Sequence, residues 1–295
     1  MVNGIINIYK EKGFTSFDVV AKMRGILRTK KIGHTGTLDP DAEGVLPVCI
    51  GKATKVVEYL TDYDKTYVAE VKLGVTTTTE DASGEVVLTR DVVYDEEKIE
   101  EVVNSFKGKY SQTPPMYSAL KVNGRRLYEY AREGKVIERK SRDVFINDIK
   151  ILEFNKENES FKIEVSCSKG TYIRTLCYDI GEKLECGAHM ATLLRTKVGK
   201  FELKDAIKLS ELEIIVKEAR LENVFQKTES VLLFDKVTFG KEYTKLLENG
   251  NKILVDDSYT KDKYLVYMND GRFVGVFKVM KKEEGIYLKP EKMFL

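Results

Sequence analysis

The stretch of the chain best equipped for chemistry runs from Lys31 to Pro47 and reads Lys-Ile-Gly-His-Thr-Gly-Thr-Leu-Asp-Pro-Asp-Ala-Glu-Gly-Val-Leu-Pro. It sets Asp39, Asp41, Glu43 and His34 among Gly33, Gly36 and Gly44. The glycines and Pro40 fix an irregular backbone, and such a loop can present a carboxylate from a rigid support. Several chemistries compete for it. Asp39-x-Asp41-x-Glu43-Gly44 imitates the opening of a calcium loop. The ninth position is Pro47, however, and the twelfth is Ile50, where a bidentate glutamate is required. Gly33-x-x-Gly36 lacks the Gly-Lys-Ser/Thr ending of a phosphate loop and the spacing of a dinucleotide fingerprint. A connecting turn accounts for an isolated Asp-Pro, but poorly for the whole string. A catalytic carboxylate at Asp39 is the reading that remains.

The rest of the inventory is sparse. Cys49, Cys167, Cys177 and Cys186 are scattered, with no Cys-x-x-Cys pair, which argues against zinc and against a disulfide framework. They read as reduced, mostly buried thiols. His34 and His189 are too few for a histidine-rich metal centre. We therefore expect no metal and no cofactor.

Elements must hold Asp39 in place. Residues 4–9 read as a strand, and Thr15 or Ser16 caps a helix with Val19, Val20, Met23 and Leu27 on one face. Residues 66–73 alternate, Tyr67, Ala69, Val71 and Leu73 one way and Val68, Glu70 and Lys72 the other. Asp95–Phe106 is amphipathic and stops at Gly108. Residues 161–167 alternate again; Gly170 breaks that strand, and Leu176, Ile180 and Leu184 mark the next helix. Ser210 with Glu213 predicts a capping box, and Asp41 and Glu43 are both expected in the turn after Asp39. From about residue 229 short strand-like runs (252–255, 264–268, 273–279, 286–288) alternate with Asn-Gly, Asp-Gly and charged turns.

The net charge is only +2, but it is unevenly spread. Residues 22–31 carry Lys22, Arg24, Arg28, Lys30 and Lys31 without an acid. Between Lys121 and Arg142 eight basic residues face three acids, Glu129, Glu133 and Glu138. Two basic stretches on a nearly neutral protein suit a docked polyanion, and solvated helix faces are the competing explanation. No apolar run approaches the about 18–20 residues of a membrane span, and the N-terminus lacks the pattern of a signal peptide. A cytoplasmic protein is expected.

At this point the motifs are recognisable. Gly33-His34-Thr35-Gly36-Thr37-Leu38-Asp39-Pro40, followed by Ala42-x-Gly44-x-Leu46-Pro47, resembles the catalytic motif of the tRNA pseudouridine synthase B family. Further segments resemble that family in order: Asp64-Lys65-Thr66-Tyr67; Leu73-Gly74-x-x-Thr77-x-Thr79-x-Asp81-x-x-Gly84; Pro115 to Lys121 with Gly124 to Ala131; and Cys167-Ser168-Lys169-Gly170-Thr171-Tyr172-Ile173-Arg174. Gly187-Ala188-His189 and Leu193 to Arg195 come last. The chain departs from the family at Glu11, where a proline usually follows the lysine at position 10.

The resemblance implies an α+β fold: a mixed-sheet catalytic domain over 1–228, an RNA-gripping insertion at about 116–142, and a small β-rich, RNA-binding-like domain over 229–295. It implies isomerisation of a T-loop uridine of tRNA, position 55, to pseudouridine. The reaction breaks C1′–N1, turns the base and joins C5, so no atoms enter or leave and no cofactor is needed. Asp39 is then the nucleophile and Arg174 its cationic partner; as a plain sequence feature Arg174 could also be a surface cation after a strand. Tyr67 would stack on the extruded uracil and act in the later proton transfer, though on periodicity alone it reads as core. Tyr172 and Leu193 would line the pocket, and His34 would fill the space that the flipped base vacates. Lys10, Arg125, Arg126 and Tyr128 would contact RNA, the last three as a clamp of cations and aromatics on the T-loop. Tyr130 lies in the same stretch, and His189 reads as structural. The implied partner is the tRNA T stem-loop, with no membrane, obligatory protein or guide RNA. An N-glycosidase, a non-catalytic RNA binder and a guide-dependent relative are the rivals. The first would need a second carboxylate across the bond, for which no motif is visible.

Overall fold

The computed structural model describes residues 3–295. Its main feature is a nine-stranded mixed sheet. Along the sheet lie Gly4–Lys10, Glu43–Ile50, Ala188–Val198, Lys65–Leu73, Ser160–Cys167, Arg142–Asn155 and Gly108–Gln112; Ile32–His34 pairs with Glu43–Ile50, and Phe201–Glu202 with Ala188–Val198. The pairings are antiparallel except where Glu43–Gly44 meets Leu194–Arg195 in parallel. That junction is where the Asp39 loop enters the sheet.

Side-chain pattern explains each layer. Lys65–Leu73 alternates buried and half-buried residues along its length, as period-2 patterning requires. Tyr67, Ala69, Val71 and Leu73 face the helices Glu96–Asn104 and Ile173–Lys183 in one apolar cluster with Ile99, Leu176 and Ile180. Burying an aliphatic side chain of this size contributes about 1.5–3 kcal/mol. Val45–Ile50 does not alternate, because both faces of its strand are covered. Leu46 and Val48 meet Val19 and Met23 of the helix Ser16–Ile26, while Val45 and Cys49 meet Leu265 and Val276 of the C-terminal region.

That region is a five-stranded sheet in the order Asp235–Phe239, Lys263–Met268, Phe273–Lys282, Gly285–Met293 and Ile253–Val255. It is fastened to the main sheet by the shared core and by polar ties. Lys52 Nζ donates to the carbonyls of Phe294 and Leu295 at 3.0 and 2.9 Å, and Lys55 Nζ to that of Met293 at 2.6 Å.

Local expectations fare unevenly. Thr15 caps its helix in a full capping box with Asp18. Ser210 and Glu213 do not cap theirs: the helix Leu209–Lys217 starts earlier, with Lys208 as N-cap and the Glu211 carboxylate accepting from Lys208 N at 2.7 Å. Glu43 is not in the turn either; it opens its strand and accepts from Tyr9 Oη at 3.2 Å. All four cysteines are free and buried. Among the described residues no helix is long and apolar enough to cross a membrane.

Candidate active site

The Asp39 loop is held from several sides by main-chain contacts. Ser16 Oγ accepts from Leu38 N at 2.9 Å, and Gly13 N donates to Pro40 O at 2.9 Å. Ala42 N closes the turn onto Asp39 O at 3.1 Å. Lys10 lies inside the loop, its Nζ donating to the carbonyls of Ala42, Pro40 and Glu11 at 2.6, 3.0 and 3.3 Å. An ammonium has three donors, and here each has a carbonyl. Lys10, expected among the RNA contacts, is fully buried and serves as an internal strut of the Asp39 loop. Burial brings its pKa down to about 8, against the pull of Glu43 and Asp39. Glu11, the residue in the usual proline position, pairs with Lys208 at 3.5 Å.

Asp39 meets Arg174 at the heart of the site, Nε to Oδ2 at 3.0 Å. The two side chains differ in exposure, 7% for Arg174 and 42% for Asp39. The cation is thus enclosed, while the carboxylate keeps part of its surface exposed. Arg174 sits in the first turn of Ile173–Lys183 and is held by more than Asp39. Its Nη1 donates to Thr79 O at 3.1 Å and its Nη2 to Tyr117 O at 2.9 Å. The fork of a guanidinium is suited to such multiple anchoring. Burial raises the Asp39 pKa above the ordinary aspartate value, the Arg174 charge lowers it, and the Asp81 charge raises it again.

Asp81 had been given no role from its motif, and it supplies a second carboxylate at the site. Its Oδ2 lies 3.6 Å from Arg174 Nη1. Its Oδ1 is saturated by Thr79 Oγ1 at 2.6 Å, Ser83 Oγ at 2.6 Å and Ser83 N at 3.0 Å. These bonds fix the carboxylate in place beside Arg174. The motif Thr77-x-Thr79-x-Asp81 marks the residue, but its place beside Arg174 comes from the three-dimensional path, through Glu80 at φ +63° and a bridge from Asp81 to Met190.

Tyr67 is both core and site. It is packed in one cluster with Leu38, Ala42, Ile173 and Leu193, and burial raises its pKa against the opposing charge of Arg195. Leu193 stands opposite Ala69 and Arg195 opposite Tyr67 across the same strand pair, which brings Leu193 to the Tyr67 side. Tyr172 is half-buried at the helix N-cap. Gln112 pins its backbone reciprocally, accepting from Tyr172 N at 2.8 Å and donating to Tyr172 O at 2.9 Å. Burial raises the Tyr172 pKa, and Asp39 adds to the rise.

His34 ends the strand Ile32–His34, half-buried, with its ring edge-on to Phe17 at 5.4 Å. Burial and then the Arg195 charge lower its pKa, which keeps the ring neutral at pH 7. His189 is buried, its Nδ1 2.9 Å from Val75 O. Arg125, Arg126 and Tyr128 form a separate platform. Lys121–Val122 and Arg125–Arg126 pair around Asn123 and Gly124, at φ +52° and +82°, the backbone of a two-residue hairpin turn. Arg125 is paired with Glu133 and Glu129 and lies over Tyr130 at 4.7 Å. Arg126 and Arg132 flank Tyr128 at 5.8 and 5.3 Å. Tyr117, at the root of this insertion, accepts from Arg174, which joins the insertion to the Arg174–Asp39 pair.

The arrangement is a partly exposed carboxylate held beside a buried cation, on a loop packed against Tyr67. Residues 24–173 match the model of the TruB family pseudouridylate synthase N-terminal domain, and residues 174–233 that of the tRNA pseudouridylate synthase B C-terminal domain. The tRNA pseudouridine synthase B of Lachnoclostridium phytofermentans is 51% identical over 310 residues, covering 100% of both chains. That of Bacillus subtilis is 44% identical over 305 residues, covering 100% of this chain and 98% of the relative. Among solved structures, a Cbf5-Nop10-Gar1 complex contains a chain with TM-score 0.77 and 30% identity, covering 99% of this chain and 85% of that one. An H/ACA RNP bound to a substrate RNA containing 2'-deoxyuridine contains another, with TM-score 0.76, 28% identity and coverage of 99% and 85%. On these matches the chain belongs to the TruB family of pseudouridylate synthases.

Proposed function

We propose that this chain isomerises uridine 55 in the T-loop of tRNA to pseudouridine, with Asp39 as the nucleophile and without a guide RNA. The observation that carries this reading is the 3.0 Å contact between buried Arg174 and partly exposed Asp39, on a loop whose Leu38 and Ala42 pack with Tyr67. An ionised carboxylate desolvated by burial is costly unless a cation compensates it. Arg174 supplies that charge, and Asp81, Thr79 O and Tyr117 O keep it aimed.

The uridine has to leave its stack, at a cost of a few kcal/mol. His34 takes the vacated space, and the exposed basic run 22–31 leading to it holds phosphates nearby. Tyr67 stacks on the base, with Leu193 and Tyr172 as walls. Asp39 attacks, the C1′–N1 bond breaks, the retained uracil turns, and C5 joins C1′ as the bond to Asp39 breaks and frees the carboxylate. The C5 proton then leaves, with Tyr67 placed to take part. Arg125, Arg126 and Tyr128 grip the loop through phosphates and exposed bases. The domains act as 1–228 for catalysis and 229–295 as a small RNA-binding-like module. Independence from a guide is supported by the full-length relatives named for tRNA, which are more similar to this chain than the ribonucleoprotein subunits are.

The test is nucleoside analysis of a T-arm hairpin after incubation with the protein. Pseudouridine in intact RNA is the expected product; free uracil with an abasic sugar would replace the reading with N-glycoside hydrolysis.

A further inference from the structure

Arg195 is the largest fully buried side chain of the molecule's described part, 1% exposed. Burying a guanidinium is expensive unless its hydrogen bonds are met. Here the partners are carbonyls and a phenol. Nε donates to Val45 O at 2.7 Å and Nη2 to Gly36 O at 3.2 Å, and the group lies against the Tyr67 hydroxyl. Among the described residues no carboxylate pairs with it, unlike Arg174. A charge kept in a core without an acid needs an explanation beyond stability, because an apolar residue of similar volume is often no worse there.

The register supplies one. Arg195 pairs with Tyr67 on one side and with Gly44 on the other, at the parallel junction of the sheet. The approach to Gly44 is so close that a Cβ there would stand 2.2 Å from Arg195 O. One residue therefore touches the loop before Asp39 at Gly36, the strand after it at Gly44 and Val45, and the aromatic floor at Tyr67.

We propose that Arg195 is a positioning residue for the reaction: it fastens both ends of the Asp39 loop to the Tyr67 strand and sets the phenol oxygen against a fixed positive charge. The proposal rests on the functional reading above. The carboxylate must reach the sugar or base while the phenol stays under the uracil, and a displacement of about 1 Å between such groups can cost roughly 100-fold in rate. The charge has a second effect. It favours the ionised phenol over the neutral one, opposing the burial that disfavours it, which eases proton uptake from C5 by Tyr67.

Full-length wild type, Arg195→Lys, Arg195→Met, Tyr67→Phe and the Arg195→Lys/Tyr67→Phe double variant are compared on a T-arm hairpin. Single-turnover pseudouridine formation across pH, hairpin affinity and thermal melting are measured. Arg195→Lys should melt cooperatively and bind the hairpin like wild type, yet react about 100-fold more slowly. In Arg195→Met the rate should keep rising to higher pH than in wild type. The arginine change should cost less in the Tyr67→Phe background, since the two residues act together. Wild-type rates in Arg195→Lys, or equal costs in both backgrounds, would overturn the proposal. So would melting of both Arg195 single variants below assay temperature, which would assign Arg195 to stability alone. An inactive wild type would instead defeat the functional reading on which the proposal rests.

Discussion

Arg174 lies between two acids that compete for it, Asp39 at 3.0 Å and Asp81 at 3.6 Å. This gives a prediction whose sign can be worked out. If Asp39 is the nucleophile it must be ionised to attack, so activity should fall as pH drops through its raised pKa. Asp81 contributes to that rise and Arg174 opposes it. Asp81→Asn should therefore move the acid limb of the pH–rate profile to lower pH, and Arg174→Gln should move it higher. Single-turnover rates between the two limbs measure both. At this scale the motif string marked Asp39 and Arg174, but not the work done by Asp81 or Lys10. Asp81 looks like any turn acid, and the enclosure of Lys10 depends on three carbonyls, two of them about thirty residues away along the chain.

Elements translate these residues into geometry through close approaches. Gly44 has φ +102°, and an added Cβ would collide with the Arg195 carbonyl. Gly44→Ala should cost about 2–4 kcal/mol from backbone strain and overpacking together, read from urea unfolding, and should misplace the Asp39 loop. Alternation made the Tyr67 strand legible, and the Thr15 cap located the first helix. The strand Arg142–Asn155 was not foreseen, because most of its residues are exposed and its sequence carries charge throughout; the ladder to Ser160–Cys167 and Gly108–Gln112 holds it. In the insertion, the Arg125 guanidinium already has acidic partners, whereas among the described residues that of Arg126 meets Tyr128 and no carboxylate. Arg126→Ala should weaken hairpin binding and reduce its salt slope by about 1, as measured by titrations at several salt concentrations.

At the scale of the molecule, the two sheets are one packed body rather than beads on a string. Leu265 and Val276 of the C-terminal sheet share a cluster with Ile5, Val45 and Cys49. Truncating Leu265 to Ala should cost about 2–5 kcal/mol, and one unfolding transition should report both sheets in thermal melts followed by circular dichroism and tyrosine fluorescence. The change in texture after residue 229 was visible as short strand-like runs. Their attachment was not, because Val45–Ile50 reads the same whether its second face meets a helix or another sheet. The same coverage steadies the strand that leaves the Asp39 loop, so the distant sheet supports the active site through the core.

If Asp39 performs the isomerisation, its loss must stop the exchange at uracil C5, which tritium release reads. A T-arm hairpin carrying tritium at uracil C5 is incubated with wild type and with Asp39→Asn, with hairpin binding measured in parallel. Release by wild type and none by a variant that still binds the hairpin is the predicted result. Equal release by the two would contradict the assignment of Asp39.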